Sequence, residues 1–396
     1  MLSAFLSKKF NFLVCFITIC NSKYLMCYDL FMKTLKDFEN ELSKCSKCGL
    51  CSQACPIYKL TLNDCTVSKG KFLMLLGVAK GDLKLSKNIN KYLDMCLKCK
   101  KCNEFCPAGI DVCTILNYAK YEYMSKTIVS KFINFLQSRL IFSNIIKLFQ
   151  FISKPFRPQK RPHYENAKNI IYFKGCVNQI CPKADNYINK IFKDIPINII
   201  EPDFDCCGLP FLSEGNMKRF IKSAKHNIKN FGTDYDFIVN DCASCEDTIL
   251  NYPKYIDDFE INRGKVINWG NLIALNEIKF KFNNPVKVTF HKPCHIKNDA
   301  FFNQILKNCT NVEYIQMENY DDCCGLSGTF GIKNPKLSSE LMNSKAKNII
   351  ATGAQYVVTT CPSCIIGLKI ALKNTDIKVV SLLEFLSSAD EIGQNI

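Results

Sequence analysis

The first part of the chain has apolar residues at helical spacing. Residues 68–79 and 89–95 repeat apolar side chains every three or four positions, and Gly81 follows the first of these stretches. The same spacing continues over residues 112–154, until the prolines between residues 154 and 162 stop helix propagation. The sequence therefore predicts an all-α N-terminal domain, followed by a helical connector that ends in a linker.

The rest of the chain alternates short apolar runs with amphipathic stretches, and the pattern occurs twice. Each copy has a run typical of a buried strand, then a helical pattern, then a second apolar run. Strands that alternate with helices favour α/β units whose loops meet at one edge of the sheet. The predicted fold class is α/β with an all-α N-terminal domain and two repeated α/β domains. The three stretches lie at 170–173, 217–231 and 237–240 in the first copy, and at 286–290, 335–352 and 356–360 in the second.

Cysteines mark these two copies as an internal repeat. Each copy has the order C…CC-G…CxxC, and equivalent cysteines are 117 to 119 residues apart. We expect each set to bind a metal centre, because thiolates are soft ligands for iron–sulfur clusters and zinc. Five thiolates suit a larger or split iron–sulfur cluster, or four ligands with one reactive thiol; a zinc site or a vicinal disulfide is the structural alternative. The candidate metal ligands are Cys176, Cys206, Cys207, Cys242 and Cys245, and then Cys294, Cys323, Cys324, Cys361 and Cys364.

Two further cysteine runs lie in the predicted helical domain, at residues 45–56 and 96–107. Both have the spacing C-x2-C-x2-C-x3-C-P, in which three cysteines bind one [4Fe-4S] cluster and the fourth binds the other cluster. A structural zinc site would leave the fourth cysteine of each run without a role. The spacing therefore predicts two [4Fe-4S] clusters, one held by Cys45, Cys48, Cys51 and Cys106, the other by Cys96, Cys99, Cys102 and Cys55.

The remaining cysteines and the histidines carry weaker signals. His291 and His295 flank Cys294, where either could orient a group, bind metal or transfer a proton, or be a hydrogen-bonded structural residue. Seven cysteines fit no motif, and we interpret them as small apolar residues, because free cysteine packs well in protein cores. They are Cys15, Cys20, Cys27, Cys65, Cys113, Cys181 and Cys309.

These patterns give five predicted regions. Residues 1–31 form an extension, because the apolar run at 10–20 is too short for a membrane helix of about 20 residues and no cleavage motif follows it. We expect translation to begin at Met32. The other regions are the helical cluster domain at 32–111, the connector and linker at 112–162, and the repeats at 163–280 and 281–396.

The amino-acid composition and the motifs that are missing indicate the compartment and the kinds of partner. The 25 cysteines, in CxxC and CC pairs within a 396-residue chain, indicate metal ligation in a reducing compartment, which favours the cytoplasm. The formal net charge of +16 comes almost entirely from lysine, and no nucleic-acid motif appears. No GxGxxG fingerprint follows a strand, so we expect a partner chain to bind flavin and oxidise substrate. The basic face predicted for the connector allows peripheral contact with the inner face of the cell membrane.

The two runs at 45–56 and 96–107, followed by two CCG repeats, resemble the glycolate oxidase iron–sulfur subunit family. They are also similar to the iron–sulfur subunit of anaerobic glycerol-3-phosphate dehydrogenase and to heterodisulfide reductase B/D-type proteins. The stretches 45–58, 68–71 and 96–109 look most like the glycolate oxidase subunit, although that family's Gly-Pro-Arg-Gly turn is here Val-Ser-Lys-Gly at 67–70. Both CxxC pairs are intact, which favours the other two branches.

The resemblance implies a ferredoxin-type domain and an electron-transfer role. The expected function is that of an iron–sulfur subunit in a membrane-associated glycolate or D-lactate dehydrogenase, which takes electrons from an FAD-containing partner and passes them toward quinone. The resemblance also implies one or two further, non-cubane clusters in the CCG repeats, with zinc as the alternative in one. A thiol/disulfide reductase, a glycerol-3-phosphate dehydrogenase subunit and a non-enzymatic metal-binding protein are the other hypotheses.

Overall fold

The structure is a computed structural model that describes residues 32–126, 162–180 and 183–394. The predicted extension at 1–31 and most of the connector and linker lie outside these residues. So do four of the seven cysteines that fit no motif: Cys15, Cys20, Cys27 and Cys181.

Helices provide the regular structure of residues 32–126. The two predicted at 68–79 and 89–95 are observed, and the second begins where the Ser86 hydroxyl accepts a hydrogen bond from the backbone N–H of Ile89. The helices are α1 (Glu39–Ser43), α2 (Leu50–Ala54), α3 (Pro56–Thr61), α4 (Ser68–Lys80), α5 (Lys87–Asp94), α6 (Lys101–Glu104) and α7 (Val112–Lys126), with 3-10 turns at Leu35–Phe38 and Asp64–Thr66.

The first repeat is built on a four-stranded parallel sheet in the order β2-β1-β3-β4. The central strands coincide with the two apolar runs of the sequence, which are buried on both faces as parallel strands require. The strands are β1 (Lys168–Phe173), β2 (Ile197–Ile200), β3 (Phe237–Asn240) and β4 (Val266–Asn268); the helices are α8 (Cys176–Ile180), α9 (Lys183–Ile191), α10 (Leu209–Ser213), α11 (Met217–Phe231), α12 (Ala243–Leu250) and α13 (Trp269–Leu275).

The second repeat has the equivalent strand order, β6-β5-β7-β8, and adds an antiparallel strand β9 against β5. Strand β5 begins at Lys279 rather than at residue 286, because its first part pairs with β9. The strands are β5 (Lys279–Phe290), β6 (Cys309–Tyr314), β7 (Tyr356–Thr359), β8 (Lys378–Ser381) and β9 (Glu391–Gly393); the helices are α14 (Ala300–Lys307), α15 (Thr329–Lys333), α16 (Pro335–Ile350), α17 (Pro362–Ala371) and α18 (Leu382–Ser387).

The helical segment and both sheets share one core. A continuous cluster of buried apolar side chains runs from the helices through β1 and β3 to β5 and β7. A smaller cluster, which includes Ile57, Leu97, Cys323, Phe330 and Leu341, packs the cysteine-rich loops of the helical segment against the second repeat. This packing brings residues far apart in sequence to one region of the molecule, at the carboxyl ends of the parallel strands.

Candidate functional site: a path of cysteine side chains

The first cysteine run surrounds a small pocket. Cys45, Cys48 and Cys51 line it together with Cys106, which comes from the end of the second run, and Cys102 also borders it. The run turns sharply at Lys47 and Gly49, which both have positive φ, of 59° and 85°. The pocket therefore groups five thiols, of which a [4Fe-4S] cluster requires four, and the first predicted ligand set is among them.

The second cysteine run is grouped with Cys55, which comes from the end of the first run. Burial raises the pKa of Cys102 to about 12, and the neighbouring Cys96 and Cys55 add to the rise. Burial also raises the pKa of Cys55, with a further contribution from Cys96. Clustered thiols of this kind need a cation to hold them as thiolates, which fits a metal-bound cluster. The structure thus groups the second predicted set as well.

Buried lysines lie beside this second set. Lys71 is only 2% exposed and donates to the carbonyl of Met95 at 3.1 Å, and Lys120 is 4% exposed. Burial would raise the pKa of Cys96, but Lys71, Lys98 and Lys120 more than offset it, so the pKa is lowered. Positive charge at this position favours an anionic cluster and its reduced state.

The first repeat brings its five cysteines together at the carboxyl edge of its sheet. Cys176 follows β1, and its Sγ lies 3.8 Å from that of Cys206. Cys207 contacts both Cys206 and Cys245, and Cys245 contacts Cys242. The adjacent pair can serve one site because the backbone turns at the following residue, Gly208, whose φ is +91°. All five predicted ligands of this repeat therefore form one connected group.

The second repeat reproduces this arrangement with a histidine added. Cys294 contacts Cys323, Cys323 contacts Cys324, Cys324 contacts Cys364, and Cys364 contacts Cys361. Gly325 has the same φ of +91° as its counterpart in the first repeat. A ring nitrogen of His291 lies within 4.8 Å of the sulfurs of Cys324 and Cys364.

The two groups meet where the CxxC pairs face each other. Cys242 and Cys361 interact directly, and the backbone N–H of Ala243 donates to the carbonyl of Thr360 at 3.1 Å. The ten cysteines therefore form one line with equivalent positions on either side of its centre. The spacing of the motifs indicated each group, but it contained no signal that the two groups touch.

The second cysteine run of the helical segment contacts both repeats. Lys100 pairs with Asp247 of the first repeat, while Lys101 pairs with Asp322 of the second. Burial raises the pKa of Cys99, and the neighbouring Cys294 adds to the rise, which places these two thiols close together. The path of sulfurs therefore continues from the second repeat into the helical segment.

Both ring nitrogens of His295 have hydrogen-bond partners, so this histidine has a structural role. Its Nδ1 is 3.0 Å from the Ser244 hydroxyl, and its Nε2 is 3.0 Å from the carbonyl oxygen of Lys98. The ring thus links the helical segment to both repeats. The sequence leaves its role open and gives no signal for Ser244 or Lys71, because serine and lysine are common in this chain. Lys120 belongs to the basic face predicted for the connector, but this prediction is wrong for Lys120, which is buried and pairs with Asp94.

Three of the seven cysteines without a motif lie among the described residues, and they are separate from the path or beside it. Cys113 is buried on α7 near Cys96 and Cys102, while Cys65 and Cys309 are half-buried. Within the described ranges, no helix has the length and apolar character needed to span a bilayer.

Comparisons with known proteins agree with the site. A family model of a 4Fe-4S dicluster domain matches residues 41–110, and a model of a cysteine-rich domain, CCG, matches residues 170–249 and 288–369. A crystal structure of a hypothetical protein from Helicobacter pylori aligns with a TM-score of 0.52 and 13% identity, over 94% of this chain and 76% of that one, which shows a shared fold.

Curated relatives are iron–sulfur and related oxidoreductase proteins. The probable glycolate oxidase iron–sulfur subunit of Bacillus subtilis is 22% identical over 89% of this chain and 94% of its own length. A fumarate reductase (CoM/CoB) subunit of Methanothermobacter marburgensis is 24% identical over 88% of this chain and 72% of that protein. Lactate utilization protein A of Oceanobacillus iheyensis is 28% identical over 48% of this chain and 83% of its own length.

The cysteine groups, the two matched domain types and these relatives agree on an iron–sulfur subunit of an oxidoreductase related to glycolate oxidase. The chain belongs to the iron–sulfur proteins that combine a 4Fe-4S dicluster domain with cysteine-rich CCG domains, and over most of its length it is similar to the glycolate oxidase iron–sulfur subunit.

Proposed function

We propose that the chain is the electron-transfer subunit of a 2-hydroxy-acid dehydrogenase complex. An FAD-containing partner oxidises glycolate or D-lactate, and this subunit conducts the electrons toward quinone. The observation that carries the proposal is the continuous path of neighbouring cysteines. The path runs from the first cysteine run, through the second, into the paired sites of the CCG repeats.

The outer end of the path is accessible to a partner. Cys48 is exposed, and its pocket lies on the helical segment near the exposed aromatic side chain of Phe105. The second run is more enclosed, because Cys99 is packed in the small apolar cluster shared with the second repeat. We infer that the partner flavoprotein docks near Cys48 and that the enclosed end serves the repeats.

Contacts within the chain hold the successive cluster sites close to one another. Iron–sulfur clusters, when bound, supply one-electron transfer without a change in covalent structure. The ion pairs of Lys100 with Asp247 and Lys101 with Asp322 fix the second run against both repeats. The Ala243–Thr360 backbone hydrogen bond fixes the two repeats against each other. Rigid placement of this kind favours rapid transfer along the path over reaction with solvent.

The test is to purify the chain anaerobically with its co-purifying subunit and to measure metal content and spectra. We expect about eight or more iron atoms per chain and bleaching of the iron–sulfur absorbance when glycolate or D-lactate is added. Glycerol 3-phosphate serves as the control substrate. Zinc without iron would refute the redox function, and bleaching by glycerol 3-phosphate alone would assign the chain to the glycerol-phosphate branch.

A second candidate is a heterodisulfide-reductase-like thiol/disulfide reductase. The contact between Cys242 and Cys361 favours it, because two metal sites back to back offer two one-electron donors to one disulfide. A new paramagnetic signal after addition of a thiol to the oxidised protein would support this function. If the protein neither reduces disulfides nor gives that signal, this candidate is excluded and the electron-transfer subunit stands.

We further propose that the complex works in the cytoplasm, at the inner face of the membrane, where quinone is reached. Most of the predicted basic connector lies outside the described residues, so this proposal depends on its sequence. Co-sedimentation of the complex with vesicles that contain anionic lipid, compared with neutral vesicles, tests it. Equal partition onto both would contradict electrostatic membrane contact.

A further inference from the structure

The two repeats differ at one buried position beside the metal-binding cysteines. Three residues before the first cysteine of each repeat, the chain has Phe173 in the first and His291 in the second. Phe173 ends β1 and packs on Phe204, with ring centroids 4.9 Å apart. His291 follows β5, and its backbone N–H donates to the carbonyl of Val358 at 2.9 Å. The same backbone position thus carries an apolar ring in one repeat and an imidazole ring in the other.

His291 is buried without the partners that a buried histidine normally has. Its side chain is 0% exposed, neither Nδ1 nor Nε2 has an oxygen or nitrogen partner among the described residues, and the ring interacts with the thiol of Cys324. His295, in contrast, has an oxygen partner at each ring nitrogen. Because a buried ring nitrogen that has only a thiol beside it is poorly satisfied, His291 and this thiol call for a group that the protein binds.

The side chains around His291 have the chemistry of a metal-binding site. A ring nitrogen and the sulfurs of Cys324 and Cys364 all lie within 4.8 Å of one another. Thiolate and imidazole ligands on one metal ion are separated by about 3.5–4 Å, given metal bonds of about 2.0–2.3 Å, so only a small contraction is needed.

We propose that His291 is a nitrogen ligand of the metal centre at the second CCG site. The first repeat then supplies sulfur ligands alone, while the second supplies sulfur and nitrogen. In the second site the neutral imidazole takes the place of one of the five thiolates as a ligand, and such a replacement raises the reduction potential of an iron–sulfur centre. The two sites therefore differ in potential, and the second, which lies next to Cys99, is the higher. This inference rests on the proposed iron–sulfur function.

Pulsed EPR of the reduced full-length protein tests the ligand directly. Protein with natural-abundance histidine is compared with protein that contains ¹⁵N-histidine. We expect a strongly coupled nitrogen whose frequencies change with the label. An iron-loaded wild-type protein without such a nitrogen overturns the inference and leaves the proposed function intact. A protein that binds no iron refutes the proposed function instead.

Two variants assign the nitrogen. His291→Phe reproduces the first repeat, and His291→Gln keeps a polar side chain if the larger change disturbs folding. Either is expected to lose the coupling and to lower the midpoint potential of one centre while iron content stays unchanged. His226→Gln, at a half-buried histidine on α11 whose Nε2 is 2.8 Å from the carbonyl oxygen of Asp203, is the matched control and is expected to keep both. Coupling that survives in an iron-loaded His291 variant overturns the assignment.

Discussion

An ion-pair network at the junction of the helical segment and both repeats gives the most direct test of the tertiary structure. Asp94, at the end of α5, accepts hydrogen bonds from Lys120 at 2.7 Å and from Lys333 at 2.9 Å. Lys333 also pairs with Glu214, which lies 3.7 Å from Lys120. The four residues come from α5, α7, the loop after α10, and α15. Asp94→Asn removes the central charge of this network.

The expected loss of stability follows from burial. Breaking a buried ion pair costs about 3–5 kcal/mol, whereas an exposed pair contributes about 0–1 kcal/mol. The Lys120 side chain is 5% exposed, while those of Asp94 and Lys333 are 18% and 36% exposed. Because Glu214 remains near both lysines, we expect Asp94→Asn to lower the free energy of unfolding by about 2–3 kcal/mol.

Anaerobic urea titration, followed by far-UV circular dichroism and by cluster absorbance, measures this loss. Lys126→Gln is the matched control, because it breaks the Glu122–Lys126 pair, in which the lysine side chain is 67% exposed. We expect the control to cost less than about 0.5 kcal/mol. If Asp94→Asn costs no more than Lys126→Gln, the network does not stabilise the junction and the reasoning is wrong.

The pH dependence of the same penalty provides a second criterion. Burial would raise the pKa of Asp94, but Lys120 and Lys333 more than offset it, so the folded pKa lies below the ordinary value. A carboxyl of this kind contributes stability above its unfolded pKa and loses it as the pH falls through the lowered folded pKa, below about pH 4. The penalty of Asp94→Asn is therefore expected to be equal at pH 6 and pH 8, and a clear change between them would contradict the assignment.

Two further predictions concern the cluster ligands and the packing of the helical segment. Cys55→Ser is expected to abolish the EPR signal of the centre held by the second cysteine run, and Cys106→Ser that of the first; the opposite outcome would show that the ligand sets are wrong. Gly215→Ala would place a Cβ 2.7 Å from the backbone carbonyl of Lys120 at φ +80°, whereas at Gly81, with φ +86°, nothing lies within 4 Å. Urea unfolding should show about 1–2 kcal/mol for Gly81→Ala and about 1–3 kcal/mol more for Gly215→Ala; equal losses would mean that α7 does not pack there.

Much of the local structure could be predicted from the sequence. The helix at 217–231 and the strand at 237–240 are observed at those residues, because continuous apolar runs and amphipathic periodicity are local properties. The edge strands β2, β4, β6 and β8 are not predicted by the sequence, since strands of three to six residues are too short for a distinct pattern. The shared φ of Gly208 and Gly325 explains why both repeats need glycine after the cysteine pair.

The sequence alone determined the chemical content of this protein: the cysteine groups, their repetition, the ferredoxin-type spacing and the α/β character of the repeats. Ligand spacing and apolar periodicity act over a few residues, so they can be read without knowledge of the fold. Tertiary structure alone decided the order of the groups along the path and the contact between Cys242 and Cys361. It also decided the burial of Lys71 and Lys120 and the position of His291 beside Cys324. These features depend on contacts between residues that are distant in the chain, for which a lysine-rich and cysteine-rich sequence has no local signal.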